Sequence, residues 1–225
     1  MEKIIKEENP LGYKPVGKLL ASMAIPAVVA NLVNALYNIF IGQGVGFLGN
    51  AATNIAFPIT TMCLAIGLMI GIGSAANFNL ELGRKNIDRA REVAGTAAGT
   101  LVIIGILLWI IILTFLKPMM ISFGATEKIL DYAIEYTGIT SFGVPFLLFS
   151  IGANPLVRAD GSPKYSMMAI VIGAILNTVL DPVFMFVFNM GIAGAAWATV
   201  ISEIVSALLL AYYFTRFKAV KFQMK

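Results

Sequence analysis

The stretch ILNTVLDPVFMF (175–186) places an Asn, an Asp and a Pro in what is otherwise the interior of an oily helix. Asn177 and Asp181 are four residues apart and so share one face of that helix. The Asn177 amide can then donate to the Asp181 carboxylate and hold it in place. Pro182 has no N–H, which leaves the Thr178 carbonyl without its helical donor. A carboxylate beside an unpaired carbonyl is an acceptor site for a proton or a cation. The structural alternative is that Asp181 hydrogen-bonds a neighbouring helix while Pro182 only bends its own. Ionisable groups in a membrane interior are costly and normally face a bundle interior or a water-filled cavity, which favours the site.

Asn31, Asn34 and Asn38 are spaced three and four apart and make a polar stripe on an apolar helix, with Pro26 about one turn before it and Tyr37 within it. The stripe reads equally as interhelical glue, where such groups contribute about 0.6 kcal/mol on average, or as the lining of a cavity. Asn31, Asn34, Asn38, Tyr37 and Thr178 are the candidate lining residues. A second intramembrane acid, Glu203, joins them, either paired with a partner or facing a second protein lobe. Asp131 and Glu135 read as solvated, and Gly67, Gly71 and Gly73 with Ser74 as a face for close helix packing.

The elements that must position these groups follow from composition. Of the 225 residues, 59% are hydrophobic and 12% charged, against about 25% charged in soluble domains. The chain has no His, which removes His-based metal and acid–base chemistry. Its single Cys, Cys63, lies in an apolar run and reads as a small buried hydrophobe. The basic residues flank apolar runs and form no stripe, so nucleic acid is not an expected partner. Neither an enzyme nor a cofactor is expected; Asn154-Pro155 is a lone dipeptide and makes no paired half-helix channel signature.

A bilayer core takes about 20 helical residues, and six runs qualify: 19–41, 52–80, 95–116, 132–157, 165–187 and 194–215. The organisation is a cytoplasmic segment at 1–18, an all-α six-helix membrane lobe at 19–217 and a basic tail at 218–225. Pro26, Pro58, Pro145 and Pro182 are expected kinks. Connections are short except 81–94, a charged turn (ELGRKNIDRARE) leading into a helix.

Lys3, Lys6, Lys14, Lys18, Arg84, Lys85, Arg89, Arg91, Arg158, Lys164, Arg216, Lys218, Lys221 and Lys225 fall on one side, leaving only Lys117 and Lys128 on the other. Both termini are therefore expected in the cytoplasm. With 1.5 Å per residue, Asn34 and Asp181 lie roughly 24–25 Å above the cytoplasmic starts of their runs, and Glu203 roughly 14 Å below the outer start of its own. That common depth points to one polar cavity between the first, fifth and sixth runs.

Five stretches in collinear order carry a resemblance: IFIGQGVGFLGNAATNIAFPI (39–59), GIGSAANFNLELGRKN (71–86), LVRADGSPKYSM (156–167), LNTVLDPVFMF (176–186) and GIAGAAWATVIS (191–202). Together they resemble the N-terminal half of a MATE (multidrug and toxic compound extrusion) transporter of the bacterial multidrug-exporter type. The resemblance implies secondary active export, from the plasma membrane, of bulky, often cationic amphipathic drugs in exchange for Na⁺ or H⁺. It also implies that Asn177 and Asp181 are the cation-coupling pair, with Na⁺ at Asp181 the one metal expected. Members usually have two six-helix lobes, so a second lobe or a second copy in parallel orientation is the implied partner. The family's first helix usually carries a Val-Asp-Arg-like turn where Tyr37-Asn38-Ile39 here runs directly into Phe40-Ile41-Gly42. Two further expectations stand beside export: a degenerate or truncated lobe that inserts without transporting, and the flipping of a lipid-linked sugar.

Overall fold

A bilayer offers no hydrogen bonds to backbone groups, so a spanning chain must satisfy them internally, and here it does so with helices. The computed structural model describes Ala35 and residues 38–217. Pro26, Asn31, Asn34 and Tyr37 lie outside the described residues, as do 1–18 and 218–225. Residues 38–44 are helical. They are followed by α1 (Phe47–Gly83), α2 (Ile87–Thr114), α3 (Leu116–Ser122), α4 (Glu127–Ser141), α5 (Val144–Ala159), α6 (Pro163–Pro182) with a π-helical turn (Val183–Val187), and α7 (Gly191–Phe214).

Among the described residues, four helices are long and apolar enough to cross a membrane: α1, α2, α6 with its π turn, and α7. The pair α4 and α5 passes the same test together, bent by 56° at its break. These five correspond to the second to sixth apolar runs. Large side chains point outward: Ile103, Leu107, Ile110 and Ile111 of α2 are exposed, while Ala94, Ala97, Leu101 and Gly105 on its other face are buried. Small residues inside and large aliphatics outside is the arrangement expected when lipid, not water, surrounds the bundle.

The segment 81–94 is not a long connection. Helix α1 continues to Gly83 and α2 starts at Ile87, leaving a three-residue turn. Lys85 adopts φ 60° there, and Asn86 caps α2 by accepting from the Arg89 N–H at 3.3 Å. The charges that suggested a loop instead stabilise helix ends in water: Arg84 pairs with Glu81 at 3.0 Å and Arg89 with Glu92 at 2.7 Å.

The fourth run is interrupted at Phe142 and Gly143, and Pro145 sits in the first turn of α5, where its missing N–H costs nothing. Helix α1 runs through Pro58 as one helix of 37 residues. After Pro182 the chain widens into the π turn, closed by the Phe188 N–H on the Val183 carbonyl at 3.1 Å.

Two apolar clusters hold the ends. At the end rich in Arg and Lys, Phe78, Ala90, Leu156, Leu210 and Phe217 form one core. At the other, Ile59, Ile112, Met120, Ala133 and Ile192 form another. The first is clamped by the turn of the LVRADGSPKYSM stretch: Tyr213 donates to Asp160 Oδ2 at 2.7 Å and Tyr165 to the Leu209 carbonyl at 2.7 Å. Helices α1 and α5 meet backbone to backbone, for a Cβ on Gly71 would lie 2.5 Å from the Gly152 carbonyl oxygen. Gly67 joins that contact through Ile151, whereas a Cβ on Gly73 would meet nothing within 4 Å. The packing face is therefore narrower than the glycine spacing suggests.

Candidate functional site

Among the described residues, two cavities lie in the interior between the clusters. The larger, about 1030 Å³, lies toward the basic end and is mostly apolar, with Leu64, Leu68, Ile72 and Ile170 in its wall and Arg158 at its margin. The smaller, about 390 Å³, lies toward the other end, where Thr53, Asn54, Thr60, Tyr136 and Thr140 contribute polar groups. Four residues line both: Leu147 of α5, Asn177 of α6, and Thr199 and Glu203 of α7. The polar side chains at mid-depth thus form the boundary between an apolar compartment and a polar one.

Asn177 projects into this boundary because α6 turns that face toward α7. Its Nδ2 donates to Asp181 Oδ1 at 3.3 Å and lies 3.4 Å from Thr199 Oγ1. Thr199 spends its own hydroxyl proton on the Ala195 carbonyl at 3.0 Å, so it meets Asn177 as an acceptor. The result is a short relay from α7 through Asn177 to the carboxylate. Asp181 itself is 1% exposed. Its Oδ2 is buried and has no hydrogen-bond partner among the described residues. A desolvated carboxylate oxygen without a donor is expensive, and a proton or a small cation would relieve it.

The relay sits where the helix is least regular. Pro182 withholds the donor that Thr178 O would receive, and Thr178 turns its hydroxyl back to the Ala174 carbonyl at 2.8 Å. The π turn follows immediately, and such widened turns often occur at functional sites. Residues 38–46 lean on it, with Ile41, Met185 and Ala195 forming a small cluster.

Glu203 lies one turn beyond Thr199 on the same face of α7. Its Oε2 rests against Gly143, the glycine in the α4–α5 break, where any side chain would collide with it. It makes no hydrogen bond or ion pair among the described residues. Asn38 lines the smaller cavity, while Thr178 and Asp181 line neither. The structure thus brings Asn38, Asn177 and Glu203 to the smaller cavity and sets Asp181 behind Asn177.

Thr199 is the residue that sequence reasoning passed over. The signal was present, since Thr199 and Glu203 are four apart on one helix, but nothing local says that this face meets Asn177. Cys63 is buried in the wall of the smaller cavity. No group of three or more Asp, Glu, Cys or His able to hold a metal occurs among the described residues.

An all-α bundle of apolar spans with buried polar groups at mid-depth is a multi-pass membrane protein. A family model described as MatE matches residues 23–183, and the chain belongs to that family. Multidrug export protein MepA of Staphylococcus haemolyticus (strain JCSC1435) is 26% identical over 203 residues, covering 88% of this chain and 45% of the relative. MepA of Staphylococcus aureus (strain NCTC 8325 / PS 47) is 25% identical over 206 residues, covering 90% and 46%. A crystal structure of a MATE mutant matches with a TM-score of 0.78 at 30% identity, over 84% of this chain and 42% of that one. A MOP-superfamily transporter from Pyrococcus furiosus matches at 0.77 and 30%, over 85% and 42%. The chain spans about half the length of the curated relatives it matches.

Proposed function

We propose that this chain forms one lobe of a secondary active multidrug exporter in the plasma membrane, completed by a second lobe or a parallel second copy. Drug leaves in exchange for Na⁺ or H⁺, and both termini face the cytoplasm, as the distribution of Lys and Arg favours. The observation that carries this is the Asn177–Asp181 pair, whose buried Oδ2 has no partner among the described residues. Asn177 lines both cavities, so an ion or proton reaching it from either side is one side chain away from the carboxylate. Occupation of Oδ2 removes a buried charge, which changes how well the lobe tolerates an organic cation in the same space. Differential affinity of that kind is what coupling requires.

The test is reconstitution, with the second lobe present, in vesicles bearing an imposed Na⁺ or H⁺ gradient. Gradient-driven drug flux is expected from the native chain, and Asp181→Asn should abolish it while insertion remains. Unchanged flux in that variant removes Asp181 from the coupling role.

One observation favours a second reading, a lobe that inserts but does not transport. Tyr37-Asn38-Ile39 passes straight into Phe40-Ile41-Gly42, one turn shorter than the family's usual pattern. Absence of flux under every gradient would support it. Flipping of a lipid-linked sugar has less behind it, because Arg158 is the one basic side chain among the described lining residues of the larger cavity.

A further inference from the structure

We infer that Arg158 anchors the phosphate of an anionic phospholipid at the basic end of the lobe, with an acyl chain lying along the apolar surface of α1 and α6. Arg158 is a cation with no acid beside it. The ion pairs among the described residues are Arg84–Glu81, Arg89–Glu92 and Arg91–Asp88, and Arg158 is in none of them. The carboxylate two residues on, Asp160, takes the Tyr213 hydroxyl at 2.7 Å instead. The Arg158 side chain is exposed, yet it is held in one place. Its Nε donates to Ser166 Oγ at 3.1 Å, and the Ser166 hydroxyl donates to Asn154 Oδ1 at 2.6 Å. The Asn154 amide closes the ring by donating to the Ser166 carbonyl at 3.3 Å. Asn154 and Ser166 are both buried, so the α5–α6 hairpin fixes the guanidinium through Nε alone. Its two terminal nitrogens have no partner among the described residues. They form the fork that grips two oxygens of a phosphate.

The surroundings decide which phosphate. Arg158 stands at the margin of the larger cavity. The Leu64, Leu68, Ile72 and Ile170 side chains that line the same cavity are themselves exposed. Inorganic phosphate would leave that apolar surface uncovered. A phospholipid covers it with an acyl chain while its phosphate stays level with the guanidinium. Lys85 and Lys164 are exposed at the same end and belong to no ion pair among the described residues. Unpaired cations favour a headgroup with net negative charge, and basic pockets between membrane helices bind such headgroups. The lipid is a resident ligand and not the exported molecule, so the site stands whether or not the chain transports.

The experiment is titration of the detergent-solubilised 225-residue chain with dioleoyl phosphatidylglycerol, and with dioleoylglycerol as the uncharged lipid of the same acyl chains. Bound lipid is counted by native mass spectrometry. Native protein is expected to prefer phosphatidylglycerol. Arg158→Gln should weaken phosphatidylglycerol binding about tenfold or more, as loss of one charge partner in a low-dielectric site would. Binding of dioleoylglycerol should stay within about twofold, which also shows that the apolar surface is intact. Lys85→Gln removes an equal charge from an exposed position at the same end and should leave both lipids unaffected. Excess inorganic phosphate should not displace phosphatidylglycerol. The inference is overturned if native protein holds both lipids equally, if Arg158→Gln binds phosphatidylglycerol normally, or if that variant loses both lipids to the same extent. It is overturned as well if Lys85→Gln weakens phosphatidylglycerol as much, or if inorganic phosphate displaces it, since the site would then serve a free anion.

Discussion

Asn177 is the side chain on which the arrangement turns. Its amide holds one oxygen of Asp181 and meets Thr199 across the α6–α7 interface, while the second carboxylate oxygen has no partner among the described residues. Truncating it leaves both oxygens of a buried acid without a donor. Asn177→Ala should therefore cost about 1–3 kcal/mol, the desolvation penalty of an unsatisfied buried group, seen as loss of resistance to unfolding in SDS titration. Thr199→Val should cost less. Its hydroxyl is shared with the Ala195 carbonyl of its own helix, and interhelical polar contacts in membranes average about 0.6 kcal/mol. Equal losses in the two variants would mean that Asn177 is glue and not the positioner of Asp181. The spacing of Asn177 and Asp181 was enough to foresee their bond, because both lie on one helix. The burial of Oδ2 was not foreseeable, for it depends on how the neighbouring helices pack around it.

At the scale of elements, the glycines of α1 separate packing from composition. A Cβ on Gly71 meets the Gly152 backbone, while one on Gly73, two residues on, meets nothing. Overpacking of this sort costs about 1–3 kcal/mol, and a backbone atom cannot move aside as a side-chain tip can. Gly71→Val is expected to lower the thermal midpoint in detergent clearly, and Gly73→Ala to leave it unchanged or slightly raised, since Ala is the better helix former. A similar response from both would argue against the α1–α5 contact. The break between α4 and α5 was half legible: Pro145 announced it, but the bend falls at Phe142 and Gly143, where the proline's first-turn preference places a helix start. The charged turn expected over 81–94 is confined to Arg84–Asn86, and the helix expected after it starts at Ile87. Capping by Asn86 and short-range ion pairs explain why the same charges belong to helix ends.

For the whole molecule, the proposed orientation rests on the distribution of Lys and Arg. It can be measured with single cysteines in a Cys63→Ser background. Lys128 and Lys164 are both exposed and sit in the first turns of α4 and α6, at opposite ends of the bundle. A membrane-impermeant maleimide should label Lys128→Cys in intact cells and Lys164→Cys only after permeabilisation. Labelling of Lys164→Cys in intact cells would reverse the orientation, and with it the side from which each cavity opens. The apolar cavity faces the basic end and the polar one the opposite end, so this single result states which compartment a drug or an ion meets first.

What the sequence by itself determined are the features that depend on neighbours along one helix. Apolar runs long enough for a bilayer announce spans, an Asn four residues before an Asp announces a shared face, and a proline announces a lost donor. These hold in any environment that permits the helix. Only the tertiary structure decided that Asp181 lies behind Asn177, that Thr199 completes the relay, and that Glu203 stands between two cavities. Each depends on residues twenty or more positions apart in the chain or on different helices. Their meeting is set by how small residues let helices approach and by where the bends fall, and neither is encoded in any local spacing.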